Sequence, residues 1–419
     1  MVLVRYIWYY SFWLIVKIGL GYYFKRIKVS GIENIPKNSP VIFGANHENA
    51  FIDALLITTR TARFTHYLVR ADVFKNAFVR GVFKSFNMLP VYRIRDGFKS
   101  LKSNSTIFET CHKALAKGRS LILFPEGKHD IRRVPRKLTK GISRIALGTM
   151  NEDNPPKELY VVPVGLNYTD HKSFRSSVHI IYGKAIKIDL NNPETNTPEA
   201  LRKTINIELL NRTIGLKEAY YDQLDTLIFK TEHGYQLSDT ETINSKALKY
   251  TDYFESNNSD GLFNAIDEFD ESLENLGAKN WLSISSTGKV TLLIKLIFLF
   301  PFYLYGLIQN LIPILIIESI IWLKVKDKIF SASIRFSIGL FLFPLYWYLQ
   351  SLLLWNYSSP FYLSIAYWLS LPISLLIVNI FNSRFTLYLA KRKLDNDEEL
   401  RNSIEGSLEY INKFKSRFE

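Results

Sequence analysis

The chain has 419 residues, more than one typical domain holds, and 53 Lys and Arg against 39 Asp and Glu give it a net charge of +14. Such a balance suits nucleic acid or an anionic membrane surface, and the long apolar runs near the C-terminus decide against a nucleic-acid partner and for membrane phospholipids. The single cysteine, Cys111, excludes an internal disulfide, fits a reducing compartment, and reads as an inert thiol on a helix.

Residues 1–24 are apolar and aromatic, but Arg5 and Lys17 interrupt them and no small-residue cleavage site follows, which argues against a secretory signal. Five cations and no acid in the first thirty residues predict 1–29 as a helix lying in the interface of an anionic bilayer, with a true span as the weaker alternative. From 30 to 194 short strands alternate with helices. Strands are expected at 40–46, 65–71, 88–93, 120–124, 158–168 and 177–188, and helices at 50–57 and 100–117. The alternation predicts an α/β domain with a largely buried sheet. Residues 195–287 are polar, acidic and helically spaced, an appended helical region in which Ser238 to Glu241 resembles a helix start.

Residues 290–323 are apolar except for Lys295, Gln309, Asn310 and Glu318, longer than the ~20 residues of one crossing but short for two. Pro301 and Pro313 around Gln309-Asn310 predict a tight or re-entrant hairpin. Ile334–Trp355 and Phe361–Phe381 are each long enough to cross, joined by 356–360, so that 288–390 reads as transmembrane segments before a tail at 391–419. If 290–323 turns back, the basic stretch 324–335 and Lys391-Arg392-Lys393 share the cytoplasmic side with the catalytic domain, and 356–360 lies on the far side.

The chemistry centres on His47 and Asp53 in ANHENAFIDALL (45–56). A carboxylate holding one imidazole nitrogen leaves the other to take a hydroxyl proton. No Ser or Cys nucleophile and no metal-ligand spacing of histidines surrounds the pair, so the attacking oxygen is expected from the substrate. Six steps of about 100° put the two residues apart on an unbroken helix. They meet only with His47 in the entry loop and Asp53 in the early turns, and Asn49 is the expected helix cap. Arg93, joined by Arg95, offers the planar fork that a phosphate monoester needs. In FPEG (124–127), Pro125 and Gly127 shape a tight turn with Glu126 at its mouth. The run Arg132, Arg133, Arg136, Lys137, Lys140 reads as a phosphate-facing surface or a solvated one.

His47 and Asp53, Arg93, FPEG and VVPVGLNY (161–168) stand in the order of the four blocks of the phospholipid and glycerol acyltransferases, and over roughly 30–190 the chain resembles that family. The common first block has four residues between His and Asp; this chain has five. The longer form, His-x-Asn-x-Phe-x-Asp, resembles the branch of glycerol-3-phosphate and dihydroxyacetone-phosphate acyltransferases, which also carries C-terminal membrane segments. The resemblance implies a mixed sheet flanked by helices and transfer of a fatty acyl group from acyl-CoA or acyl-carrier protein, as co-substrate, to glycerol 3-phosphate or lysophosphatidate. It implies His47 and Asp53 as catalytic, and Arg93, Glu126, Gly127, Lys128 and Lys140 as substrate-binding, with no metal and no bound cofactor. His129 stands at the position of the usual basic residue after FPEG-x, with Lys128 as its substitute. The rival readings are a lysophosphatidate acyltransferase and, without catalysis, a membrane lipid-binding protein.

Overall fold

The computed structural model describes residues 2–74, 76–92, 98–231, 240–286, 288–325, 327–357 and 360–418. It divides into two compact units, Met1–Ile214 and Gly215–Glu419.

In the first unit the chain runs α1 (Val2–Tyr23), β1 (Arg26–Ser30), β2 (Val41–Ala45), α2 (Ala50–Thr61), β3 (Thr65–Arg70), α3 (Ala77–Ser85), β4 (Met88–Val91), α4 (Phe98–Ala116), β5 (Ser120–Leu123), α5 (Gly141–Met150), β6 (Tyr160–Tyr168), β7 (Ser177–Tyr182), β8 (Ile186–Lys187) and α6 (Pro198–Leu210). The strands form one mixed sheet in the order β1-β7-β6-β2-β5-β3-β4, with β8 antiparallel to β6. From β6 to β4 all neighbours are parallel, and β7 runs antiparallel to β6. Every residue of β2 and β5 is buried, as expected of central strands covered on both faces. On one face Ile42, Leu121 and Val161 share a core with Leu115 of α4, Ile142 of α5 and Ile205 of α6. Cys111 lies in this core, and burial pushes its thiol up to about 12, which keeps it inert.

Two boundaries differ from those expected. The stretch read as an interfacial helix to 29 is helical only to Tyr23; Arg26–Ser30 is a strand in parallel register with β7. The first unit also includes α6, which the sequence places in the appended region; Thr197 caps it by accepting the Ala200 N–H, and Pro198 begins it.

The second unit holds α7 (Tyr221–Asp225), α8 (Thr240–Ser256), α9 (Asp260–Leu276), α10 (Trp281–Ser285), α11 (Lys289–Lys324), α12 (Ser331–Asn356), α13 (Phe361–Asn396) and α14 (Glu398–Lys415). Helix α8 starts at Thr240; Ser238 and Asp239 of the expected start lie outside the described residues. Helices α11, α12 and α13 are long and apolar enough to cross a membrane. The hairpin expected at 290–323 is absent. Residues 289–324 are one helix that keeps Pro301 and Pro313 within it. The polar pair read as a turn is satisfied by neighbouring helices: Asn310 donates to Ser374 (3.0 Å) and accepts from the Trp347 indole (2.8 Å), while Gln309 accepts from Gln350 and Tyr367. Interhelical partners of this kind let an apolar helix carry polar residues without turning. Gly306 permits the packing, because a Cβ there would lie 2.6 Å from the Ser374 carbonyl oxygen.

Lys289 pairs with Asp395 (2.6 Å) and Tyr303 stacks on Phe381 (4.0 Å), so α13 runs antiparallel to α11. Glu318 pairs with Arg335 (2.6 Å), so α12 also runs back along α11. The stretch 324–335 therefore lies at the end of α11 away from the Lys289–Asp395 pair. The hairpin that would have returned it to the side of residue 288 does not exist. Lys326 and Ser358 lie outside the described residues.

Candidate active site

Three adjacent parallel strands, β5, β2 and β6, end at one edge of the sheet, and the chain leaving each one contributes to a single cluster. Crevices outside the carboxyl ends of parallel strands are where open α/β sheets hold ligands. His47 lies in the loop after β2 and Asp53 in the first turn of α2, with His47 Nδ1 2.8 Å from Asp53 Oδ2. A carboxylate can only accept, so Nδ1 carries the hydrogen and Nε2 presents its lone pair. No described residue bonds to Nε2. The imidazole stacks on Phe124 with ring centroids 3.9 Å apart, which fixes its plane.

Asp53 is fully buried and holds the loop as well as the histidine. Its Oδ2 also accepts the backbone N–H groups of Glu48 (3.0 Å) and Asn49 (2.8 Å), and its Oδ1 accepts the Tyr168 hydroxyl from the end of β6. Asn49, though at the N-cap position, makes no side-chain cap: the Ile52 N–H donates to the Asn49 backbone carbonyl (3.1 Å), and the Asn49 amide donates to the His171 carbonyl. Ala50 follows at φ 43, a left-handed conformation that costs a non-glycine residue roughly 1–2 kcal/mol. The bonds from His47, Glu48 and Asn49 to Asp53 span that turn and hold it.

Glu48 turns away from His47. It accepts from the Asn46 amide (2.9 Å) and lies 2.7 Å from His171 Nε2, with both partners buried. Asn46 in turn exchanges two hydrogen bonds with the backbone of Leu166, tying the loop to β6. Glu126, after β5, accepts the His47 N–H (3.3 Å) and pairs with Arg136 at 2.9 Å. Burial pushes its carboxyl up to about 7, and the Arg136 charge offsets only part of that; the nearby Glu48 and Asp53 charges add to the rise. Gly127 takes φ +73 in the turn, and the Asp130 N–H donates to the His47 carbonyl (3.0 Å), strapping this loop to the first.

The structure thus gathers His47, Asp53, Glu126 and Gly127. Lys128 is exposed, and its backbone carbonyl accepts from Arg136. Lys140 is not brought to His47's partners: its ammonium pairs with Glu199 of α6 at 2.6 Å, both side chains well exposed. Arg93 and Arg95 fall in 93–97, outside the described residues. Much of the basic run is internally engaged rather than free to face phosphate, Arg136 with Glu126, Arg133 with the Tyr168 carbonyl and Arg132 with Asp130. Sequence reasoning missed Tyr168, His171, Asn46 and Arg136 as partners. Tyr168 closes the quoted VVPVGLNY block and His171 follows three residues later, a proximity that only the β2–β6 pairing gives meaning.

Residues 26–167 match the family model described as Acyltransferase. Among curated relatives, the chain is 21% identical over 294 residues to an uncharacterized acyltransferase of Schizosaccharomyces pombe, covering 50% of this chain and 42% of that one. It is 31% identical over 134 residues to the 1-acyl-sn-glycerol-3-phosphate acyltransferase of Borreliella burgdorferi (32% and 51% covered), and 32% identical over 98 residues to glycerol-3-phosphate O-acyltransferase 1 of Saccharomyces cerevisiae (22% and 13%). The chain therefore spans about half or less of the length of the relatives it matches. A solved structure, the 1-acyl-sn-glycerophosphate acyltransferase PlsC from Thermotoga maritima, aligns with TM-score 0.33 and 19% identity, covering 44% of this chain and 70% of that one. Residues 26–167 are a domain of the acyltransferase family.

Proposed function

We propose that the protein is a membrane-bound acyltransferase of glycerolipid synthesis. It moves a fatty acyl group from acyl-CoA or acyl-carrier protein to a hydroxyl of glycerol 3-phosphate or dihydroxyacetone phosphate, toward phosphatidic acid and phospholipids. The observation that carries this reading is the His47–Asp53 pair at 2.8 Å, with a fully buried carboxylate and an Nε2 open to substrate. Asp53 orients the ring and stabilises the imidazolium. His47 Nε2 takes the acceptor's hydroxyl proton as that oxygen bonds to the thioester carbonyl carbon. When the C–S bond breaks, the same Nε2 returns the proton to the departing thiolate. Arg93 is assigned to the acceptor's phosphate on its position in the family pattern, and Glu126, held between the His47 N–H and Arg136, to shaping the acceptor's seat. The chemistry calls for no bound metal or cofactor, the thioester being a co-substrate. Helices α11, α12 and α13 anchor the protein as a multi-pass chain, with the first unit facing the cytoplasm.

A second reading takes lysophosphatidate as acceptor, and the match to the 1-acyl-sn-glycerol-3-phosphate enzyme, longer than that to the glycerol-3-phosphate enzyme, favours it. The test is one assay of the purified full chain with acyl-CoA and with acyl-carrier protein, each offered glycerol 3-phosphate, dihydroxyacetone phosphate and lysophosphatidate in parallel. Turnover of the first two acceptors above lysophosphatidate supports the main reading, and the reverse order supports the second. No transfer to any acceptor refutes both.

A further inference from the structure

At the opposite end of the same parallel strands a cavity of about 240 Å³ opens where β3, β4 and β5 begin. Five cations line it: Arg5 of α1, Lys84 of α3, Lys113 of α4, Lys117 just after α4, and Arg119 ahead of β5; no acid is among the lining residues. None of the five forms a salt bridge with a described residue. Arg5 is braced by the Asn87 side chain, and both Arg5 and Arg119 lie over the Phe64 ring, at 5.7 and 5.1 Å. His66 of β3 also lines the cavity; it is 5% exposed, and its buried Nδ1 has no hydrogen-bond partner among the described residues. Burial, helped by the charges of Arg119 and then Arg5, pushes this imidazole down to about 4, the response of a neutral group set in a positive field.

Lys113 and Lys117 alone would be accounted for by the negative carboxyl end of α4. Arg119 joins them there, its N–H bonded to the Ala114 carbonyl, and Lys84 stands in the last turn of α3, but Arg5 arrives from α1 and no acid among the lining residues balances the five charges. Like charges that converge without acids repel one another, and an anion seated between them removes that cost. Arginine and lysine together around a small cavity suit phosphate oxygens. The cavity lies beside a helix able to meet a membrane: Leu3, Val4 and Ile7 on the outer face of α1 are exposed, while Arg5, Tyr9 and Trp13 face the domain, Arg5 bonded to Asn87 and the other two to the backbone of 63 and 58.

We propose that this cavity binds the phosphate group of an anionic ligand, supplied either by a phospholipid headgroup at the membrane surface or by a soluble phosphate ester. The site is distinct from the His47 cluster and does not depend on the acyl-transfer reading.

The test titrates detergent-solubilised full-length protein, by calorimetry, with short-chain phosphatidylglycerol, the matching phosphatidylcholine and inorganic pyrophosphate, for the wild type and for Lys113→Glu/Lys117→Glu. Both lysines are exposed, so the variant keeps the fold. The proposal expects an anion to bind about tenfold more weakly to the variant, with phosphatidylcholine weak and unchanged. If phosphatidylglycerol shows the loss and pyrophosphate neither binds nor displaces it, the source is the headgroup. If pyrophosphate shows the same loss and displaces phosphatidylglycerol, the source is a soluble phosphate. Equal affinity of variant and wild type for both anions, or binding of neither by the wild type, overturns the proposal.

Discussion

At the carboxyl ends of β5, β2 and β6 three acids, Glu48, Asp53 and Glu126, are buried, and each is matched to named donors: His171 and Asn46, His47 with Tyr168 and two backbone N–H groups, and Arg136 with one. At the amino ends of β3, β4 and β5 the charges are cations, and the groups around them supply no acid. Among the described residues the first arrangement matches each of its acids and leaves His47 Nε2 open, the geometry that a group moving a proton from a fixed position would need. The second has no acid among its described lining residues, and on the proposal above an anion from outside completes it. The same sheet thus holds a preorganised site at one end and a receptive one at the other, and the two respond to substitution in different ways.

Short of removing His47 itself, the largest effect is expected from Asp53→Asn. The amide oxygen can still accept from His47 Nδ1, but without the negative charge the imidazolium is no longer stabilised, and turnover falls by about 10³-fold. A loss below tenfold in a folded protein makes Asp53 a loop-holding residue alone. Tyr168→Phe removes one donor from the same carboxylate and leaves the ring packing in place. Stability drops by about 1–3 kcal/mol in a denaturant titration, and turnover falls by roughly tenfold, a smaller loss than Asp53→Asn because three donors remain.

Glu126 sharpens the contrast through pH. Its folded-state carboxyl titrates near 7 against an ordinary value of 4.5. Between those values the folded protein holds a proton that the unfolded chain has released, so stability falls as pH rises from about 4.5 to 7, by at most about 1.4 kcal/mol per pH unit. Glu126→Gln is expected to flatten that part of the stability profile, read from unfolding midpoints at pH 5, 6 and 7. A slope unchanged by the substitution assigns it to other groups. The smallest effect on catalysis is expected from Lys113→Glu/Lys117→Glu, with turnover of water-soluble substrates within about twofold of wild type. A large loss there would join the two ends into one site and break the comparison.

The sequence carries the His47 end unevenly. His47 and Asp53 are six residues apart, a spacing that parts them on a helix, but the strand-to-helix change between them is legible, and setting His47 in the entry loop lets them meet. Tyr168 and His171 lie more than a hundred residues further on and reach the same loop only through the parallel pairing of β2 and β6, which no local pattern encodes. Arg136 lies in a basic run whose composition does not distinguish a solvated face from an ion pair with Glu126. The strand at 26–30 is hidden in a cationic, half-buried stretch that reads as an interfacial helix, because its partner β7 lies some 150 residues away. In the second unit the prolines and the Gln309-Asn310 pair carry the signals of a turn in water. Between apolar helices the same residues stay helical, because Trp347, Ser374, Gln350 and Tyr367 satisfy them across the bundle. The cation cavity is the least legible of all, since its lining residues come from four separate stretches between 5 and 119.

The central claim is that His47 Nε2 moves the proton during acyl transfer, and the most direct measurement is steady-state turnover of full-length His47→Ala with an acyl thioester and the acceptor identified in the parallel assay. Thermal unfolding and membrane partition are measured on the same preparation. The account predicts a folded, membrane-associated protein whose turnover is lost by at least about 10³-fold. Turnover near that of the wild type in such a protein would contradict it.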